Sequence, residues 1–141
     1  MKGKLRYLSF IILALLVCTA CLNDDLDEND FNIELAPAIS TNLPDTLVFG
    51  KSFNIEVEYQ PKTTCHMFAG FNYYDGNQQQ QLAVITSYSS NEQDCQTEDL
   101  KIATFEFTPR RTDFYNFEIY SGESEEGKAV FLEKKVFVKL E

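Results

Sequence analysis

Beyond residue 30 the apolar side chains recur at every second position. Phe53, Ile55, Val57 and Tyr59 alternate with Asn54, Glu56 and Glu58, which places one set on a buried face of a pleated strand and sends the other to solvent. The same alternation predicts strands over residues 31–35, 65–74, 81–88, 101–107, 114–120 and 129–140, the last interrupted near Glu133. No stretch after the first thirty residues carries helical periodicity. Turn-forming residues separate the runs: Leu43-Pro44-Asp45, Gln60-Pro61, Asp75-Gly76-Asn77, Ser90-Asn91, Thr108-Pro109, and Ser121-Gly122 through Gly127. The glutamines at 78–81 read as a solvated hairpin end.

Short strands divided this regularly predict an all-β domain, an antiparallel immunoglobulin-like β-sandwich of about seven strands over residues 31–141. The stretch Thr112-Asp113-Phe114-Tyr115-Asn116-Phe117 resembles the turn into the sixth strand of such sandwiches. The resemblance gives Tyr115 a hydroxyl bonded to backbone across the corner, with plain core packing as the other reading.

The first twenty residues have a different pattern. Lys2, Lys4 and Arg6 precede residues 8–17, which are apolar apart from Ser9, and Thr19-Ala20 puts small residues ahead of Cys21. This is the layout of a signal peptide over residues 1–20, since the apolar run is shorter than the roughly 20 residues a membrane-crossing helix needs. Cys18-Thr19-Ala20-Cys21 resembles the lipobox of bacterial lipoproteins, departing from it in having cysteine at the first position. The resemblance implies cleavage before Cys21 and lipid on its thiol, which makes the membrane an expected partner; burial at about 0.8 kcal/mol per CH2 over several chains holds such an anchor firmly. Residues 21–30 then form the lipidated cysteine and a short tether containing Asp24, Asp25, Asp27, Glu28 and Asp30. Its composition predicts disorder. Acidic residues directly behind the lipidated cysteine also resemble the surface-export signal of Bacteroidetes lipoproteins; solvation of the tether is the alternative.

The net charge of -10 becomes three units more negative once the leader is gone. That field repels phosphate backbones, so nucleic acid is not an expected partner. After cleavage Cys65 and Cys95 are left as an even pair in an oxidising compartment, for which a disulfide is the default. A metal site of Cys65, His66 and Cys95 is the competing reading, disfavoured because adjacent strand residues point to opposite faces and a fourth ligand is missing.

Catalytic inventories fail at named places. His66 is the sole histidine, no Gly-x-Ser-x-Gly elbow accompanies it, the six glycines are scattered, and the visible acids alternate outward or sit in loops. The expectation is a protein that is not an enzyme and has no cofactor. Recognition is the better reading, because sandwiches use end loops and exposed faces for binding. With Cys65, Met67, Ala69, Phe71 and Tyr73 inward, Phe68 and Tyr74 point outward, while Tyr88 and Tyr120 stand at strand ends. These four are the candidate ligand-binding residues, able to stack on sugar rings or anchor a protein.

The order Gly50, Phe53 to Tyr59, Cys65, Cys95, Phe105 to Phe107, Tyr115 to Tyr120 and Val136 to Val138 is similar to small uncharacterised lipoproteins of the Bacteroidetes. That resemblance implies a fold and a place, the outer membrane of the cell envelope on its periplasmic or surface side, and no activity. The expected function is a membrane-anchored lipoprotein with a non-catalytic binding or accessory role towards a glycan or protein. The alternatives are a structural subunit of an envelope complex, for which an exposed edge strand at residues 129–140 would speak, and a protein inhibitor.

Overall fold

The computed structural model describes residues 31–141; the expected leader, the anchor at Cys21 and the acidic tether lie outside them. The described chain is all-β, without a helix. Its strands are β1 (Phe31–Ala36), β2 (Ala38–Thr41), β3 (Thr46–Val48), β4 (Phe53–Tyr59), β5 (Met67–Gly76), β6 (Gln79–Ser89), β7 (Lys101–Phe107), β8 (Phe114–Glu123) and β9 (Ala129–Lys139). The two extra strands relative to expectation, β2 and β3, are four and three residues long, too short for alternation to declare itself.

Six strands form a large sheet and β2, β4 and β7 a small antiparallel one. Within the large sheet β5 pairs along one edge of β6. The other edge of β6 is shared end to end: β8 pairs with Gln79 to Leu82 and β1 with Val84 to Ser89. β9 joins β8, and β3 closes the far side. Pro37 explains how one short segment serves both sheets. It has no N–H to donate, so the ladder breaks there, and the chain passes from β1 to β2 while the Pro37 carbonyl accepts from Gln60 N at 3.0 Å.

An all-antiparallel sandwich is not what forms, because β6/β8 and β3/β9 are parallel pairs. The β5–β6 hairpin lies with its second strand, not its first, beside β8. The residues account for this choice. β6 is buried at Leu82, Ala83 and Val84 in succession, as suits a strand flanked on both edges, whereas β5 carries Gly70, Asn72 and Asp75 and a register shift at Ala69.

Both sheets share one core, with Ile55, Val57 and Tyr59 of β4 opposite Leu82, Phe117, Ile119 and Val136 of the large sheet. Full burial of each such side chain is worth about 1.5–3 kcal/mol. Phe107 links the sheets through edge-on contacts with Tyr115 and Phe117, ring centres 5.0 and 5.1 Å apart. The buried Tyr115 hydroxyl accepts the Arg110 backbone N–H at 2.8 Å, the corner bond that the sequence resemblance implies.

Cys65 and Cys95 are joined by a disulfide, Cα atoms 5.5 Å apart. Cys65 sits just ahead of β5 and not in it. Around it the two loops also exchange Thr64 N to Gln96 O, 2.8 Å, and Gln96 N to Thr64 Oγ1, 3.1 Å.

Candidate functional site

The bulge in β5 reassigns the faces expected for its aromatics. Phe68 pairs with Thr86 and Gly70 with Ile85, leaving Ala69 as the extra residue; Gly70 takes φ +142°, where a side chain would be strained. The residues before the bulge are therefore turned over relative to those after it. Phe68 lies on the inner side, its ring centre 5.3 Å from Phe71 and 6.4 Å from Tyr59, and is 48% exposed. Met67 is the residue that points out. Tyr88 also faces inward, stacked on His66 at 4.5 Å. Tyr74 faces outward and is 62% exposed. Phe68, Tyr74 and Tyr88 thus form no common patch.

Tyr74 does share a groove with Tyr120, on the outer face of the large sheet. β6 brings β5 and β8 to its opposite edges, and Tyr120 pairs with Phe131 of β9. Together with Leu35 these rings line a shallow groove of about 320 Å³, whose polar members are Asn72, Gln81 and Glu123. Burial raises the Tyr120 phenol above its ordinary pKa, with Glu123 and Glu34 adding to the shift, so it is a neutral hydrogen-bonding group at physiological pH. Phe131, Asn72, Gln81 and Glu123 were not singled out from the sequence. One signal was present: pairing the last two predicted strands as a hairpin around Ser121–Gly127 puts Tyr120 and Phe131 on one face.

The outer face is divided by composition. On β1 the alternate residues Phe31, Ile33 and Leu35 are exposed, and Met67 joins them. Towards β8 and β9 the face becomes charged, with Glu118 accepting from Gln79 and Gln81 at 2.5 and 2.8 Å, and Lys135 standing 3.9 Å over the Phe114 ring.

A second concavity opens at the side, between β5 and β7. It measures about 630 Å³, is floored by Tyr73, Phe105, Phe107 and Tyr115, and is rimmed by Asp75, Glu106, Arg110 and Arg111. Its back wall is a polar knot that corrects the reading of residues 78–81 as a solvated end. Gln80 is fully buried: its amide donates to Asp75 Oδ1 at 2.9 Å and to the Asn77 carbonyl at 2.7 Å, and its oxygen accepts from the Tyr73 hydroxyl. Burial, reinforced by Asp75 and Tyr115, pushes the Tyr73 phenol up to about 12, keeping it a donor. Asn77, at φ +73°, turns the hairpin so that Gln80 faces in opposite Asp75. At the mouth Arg111 is tied to both Asp113 oxygens, 3.2 Å each, and to Asn77 Oδ1 at 3.0 Å. This bond holds the Asp113 carboxyl well below the usual range.

His66 is nearly buried at 6% exposure; Nδ1 is 2.8 Å from Thr63 Oγ1, and Nε2 is 3.3 Å from Glu34 Oε2. These contacts tie β1 to the disulfide loop and place no serine or cysteine nucleophile against the ring. The Glu92 carboxylate lies near both cysteine sulfurs, but sulfurs joined to each other carry no thiolate charge with which to bind a metal. β9, the edge expected to favour a structural subunit, is paired with β8 along its length and with β3 at Phe137 to Lys139.

Comparison of the chain with protein-family models, with curated proteins and with solved structures gives no match.

Proposed function

We propose that this chain is a cell-envelope lipoprotein, held to the outer membrane through lipid on Cys21, whose immunoglobulin-like sandwich recognises a glycan without catalysis. The observation that supports the reading is the outer groove, where Tyr74, Tyr120 and Phe131 gather beside Asn72, Gln81 and Glu123. Sugars present flat C–H faces flanked by hydroxyls. Aromatic side chains supply an apolar surface for the first, and amide and carboxylate groups supply hydrogen bonds for the second. The groove is open along the sheet, as suits a chain segment rather than an enclosed monomer.

A glycan array probed with the full chain tests this. Binding is expected to fall at least tenfold, about 1.4 kcal/mol, in Tyr120→Ala, with no change in the array glycans on incubation. Undiminished binding in Tyr120→Ala and Tyr74→Ala together would remove the groove from the proposal. Recognition of a protein on the same face is the second reading, and the apolar strip of Phe31, Ile33 and Leu35, with Ile33 74% exposed, favours it.

A further inference from the structure

Sheet edges with open hydrogen-bonding groups invite further strands, and proteins ordinarily blunt them with lysines, prolines, bulges or inward charges. The free part of β9 carries such devices: Lys134 lies on the inward register opposite Phe117 and is ion-paired to Asp45, and Lys135 follows. β5 does not. It pairs only with β6, and among the described residues no strand meets its other edge. From Met67 to Tyr74 it contains neither a charge nor a proline, and its bulge at Ala69 leaves Gly70 to Gly76 in unbroken register with β6.

Among the described residues the outer edge of β7 is unpaired as well, and the two open edges flank the lateral cleft. Phe105 bridges them, 5.4 Å from Phe71 and 4.8 Å from Tyr73 between ring centres. The half-buried rings of Phe71, Tyr73 and Phe105 are therefore presented to whatever lies along the edge. Charge narrows the choice of occupant. In a strongly acidic chain, Arg110 and Arg111 are the only arginines beyond Arg6, and both stand on this rim. Arg111 is occupied by Asp113 and Asn77, whereas the Arg110 guanidinium is exposed and has no side-chain hydrogen bond or ion pair among the described residues. Asp75 and Glu106 share the rim, which suits one carboxylate and disfavours a polyanion.

We propose that the β5 edge accepts an extended segment of a protein partner, added as a further strand to the large sheet, with alternate apolar side chains over Phe71, Tyr73 and Phe105 and one carboxylate against Arg110. Backbone bonding along β5 would supply affinity, and the aromatic floor and Arg110 would select the segment. Seven residues at about 3.3 Å each span the regular part of the edge. The site is separate from the outer groove, so either assignment can fail without the other.

The test uses the full chain in detergent and a displayed library of random nine-residue peptides. Enriched peptides are expected to alternate apolar and polar residues and to carry an acidic residue, or a free terminal carboxylate, at one end; amidating the terminus distinguishes the two sources. Arg110→Ser should weaken the selected peptide about tenfold while leaving the urea midpoint unchanged, and Tyr120→Ala should leave its affinity intact. Two forms of that peptide, N-methylated at alternate residues in the two possible phases, should differ: the form blocked towards β5 fails and the other binds. No enrichment, indifference to Arg110→Ser, equal behaviour of the two methylated forms, or a dimer of the chain paired through β5 would each overturn the proposal.

Discussion

Replacing Gln80 with leucine, similar in volume and apolar, tests whether the polar knot behind the lateral cleft stabilises the domain. The substitution removes three hydrogen bonds, to Tyr73, Asp75 and Asn77. At about 1 kcal/mol net each, they set the scale. Asp75 and Asn77 lie towards solvent and recover water, but the half-buried Tyr73 hydroxyl is left without its acceptor, at a cost of about 1–3 kcal/mol. Burying an apolar side chain instead returns about 1.5–3 kcal/mol. The expected loss is therefore about 2 kcal/mol, a substantial part of the roughly 5–15 kcal/mol typical of a domain. Tyr73→Phe alone should cost about 1–2 kcal/mol, and the double variant less than the sum, with a coupling of about 1 kcal/mol. Urea unfolding followed by tyrosine fluorescence measures all four proteins. A Gln80→Leu protein as stable as the parent, or additive losses in the double variant, would refute the reasoning.

Replacing Cys65 and Cys95 with alanine opens a loop whose ends are 30 residues apart and should lower stability by about 3–4 kcal/mol in the chain-entropy description; equilibrium unfolding measures it, and a loss under 1 kcal/mol would show that Thr64 and Gln96 hold the loops unaided. Arg111→Ala should raise the titration of Asp113 towards the ordinary carboxylate range, followed by carboxyl NMR. The sign follows from the depressed folded value: the parent has the Asp113 contribution above the unfolded pKa and loses it as pH falls through the folded one, so the variant should be less sensitive to acid between those limits.

Alternation along the chain located the long strands because it reports burial of one face. β4 and β7 have the boundaries expected of them, and the corner at Tyr115 and the Cys65–Cys95 pair were equally legible. What local pattern cannot report is partnership. The parallel β6/β8 pair depends on which strand of a hairpin turns towards β8, a choice made by tertiary packing. A one-residue bulge at Ala69 leaves the apolar count unchanged yet exchanges the faces of Met67 and Phe68. Gln80 looked solvated because glutamine usually is, and only the register opposite Asp75 sends it inward. The groove is half legible: alternation turns Tyr74 outward and puts Tyr120 near a strand end, while Phe131 and the amides become visible only through pairing across strands.

The shared edge of β6 has a kinetic consequence. The β5–β6 hairpin closes over two residues and should assemble early, but β1 and β8 reach β6 from opposite ends of the chain, so neither contact gains from local closure. Until both arrive, the strand that carries the buried run Leu82 to Val84 has one flank bare, and β1, the strand nearest the expected anchor, has to find its slot at Val84 to Ser89 after the rest has been synthesised. Newly made chains would spend that interval vulnerable to aggregation, and a chaperone that shields β6 would shorten it.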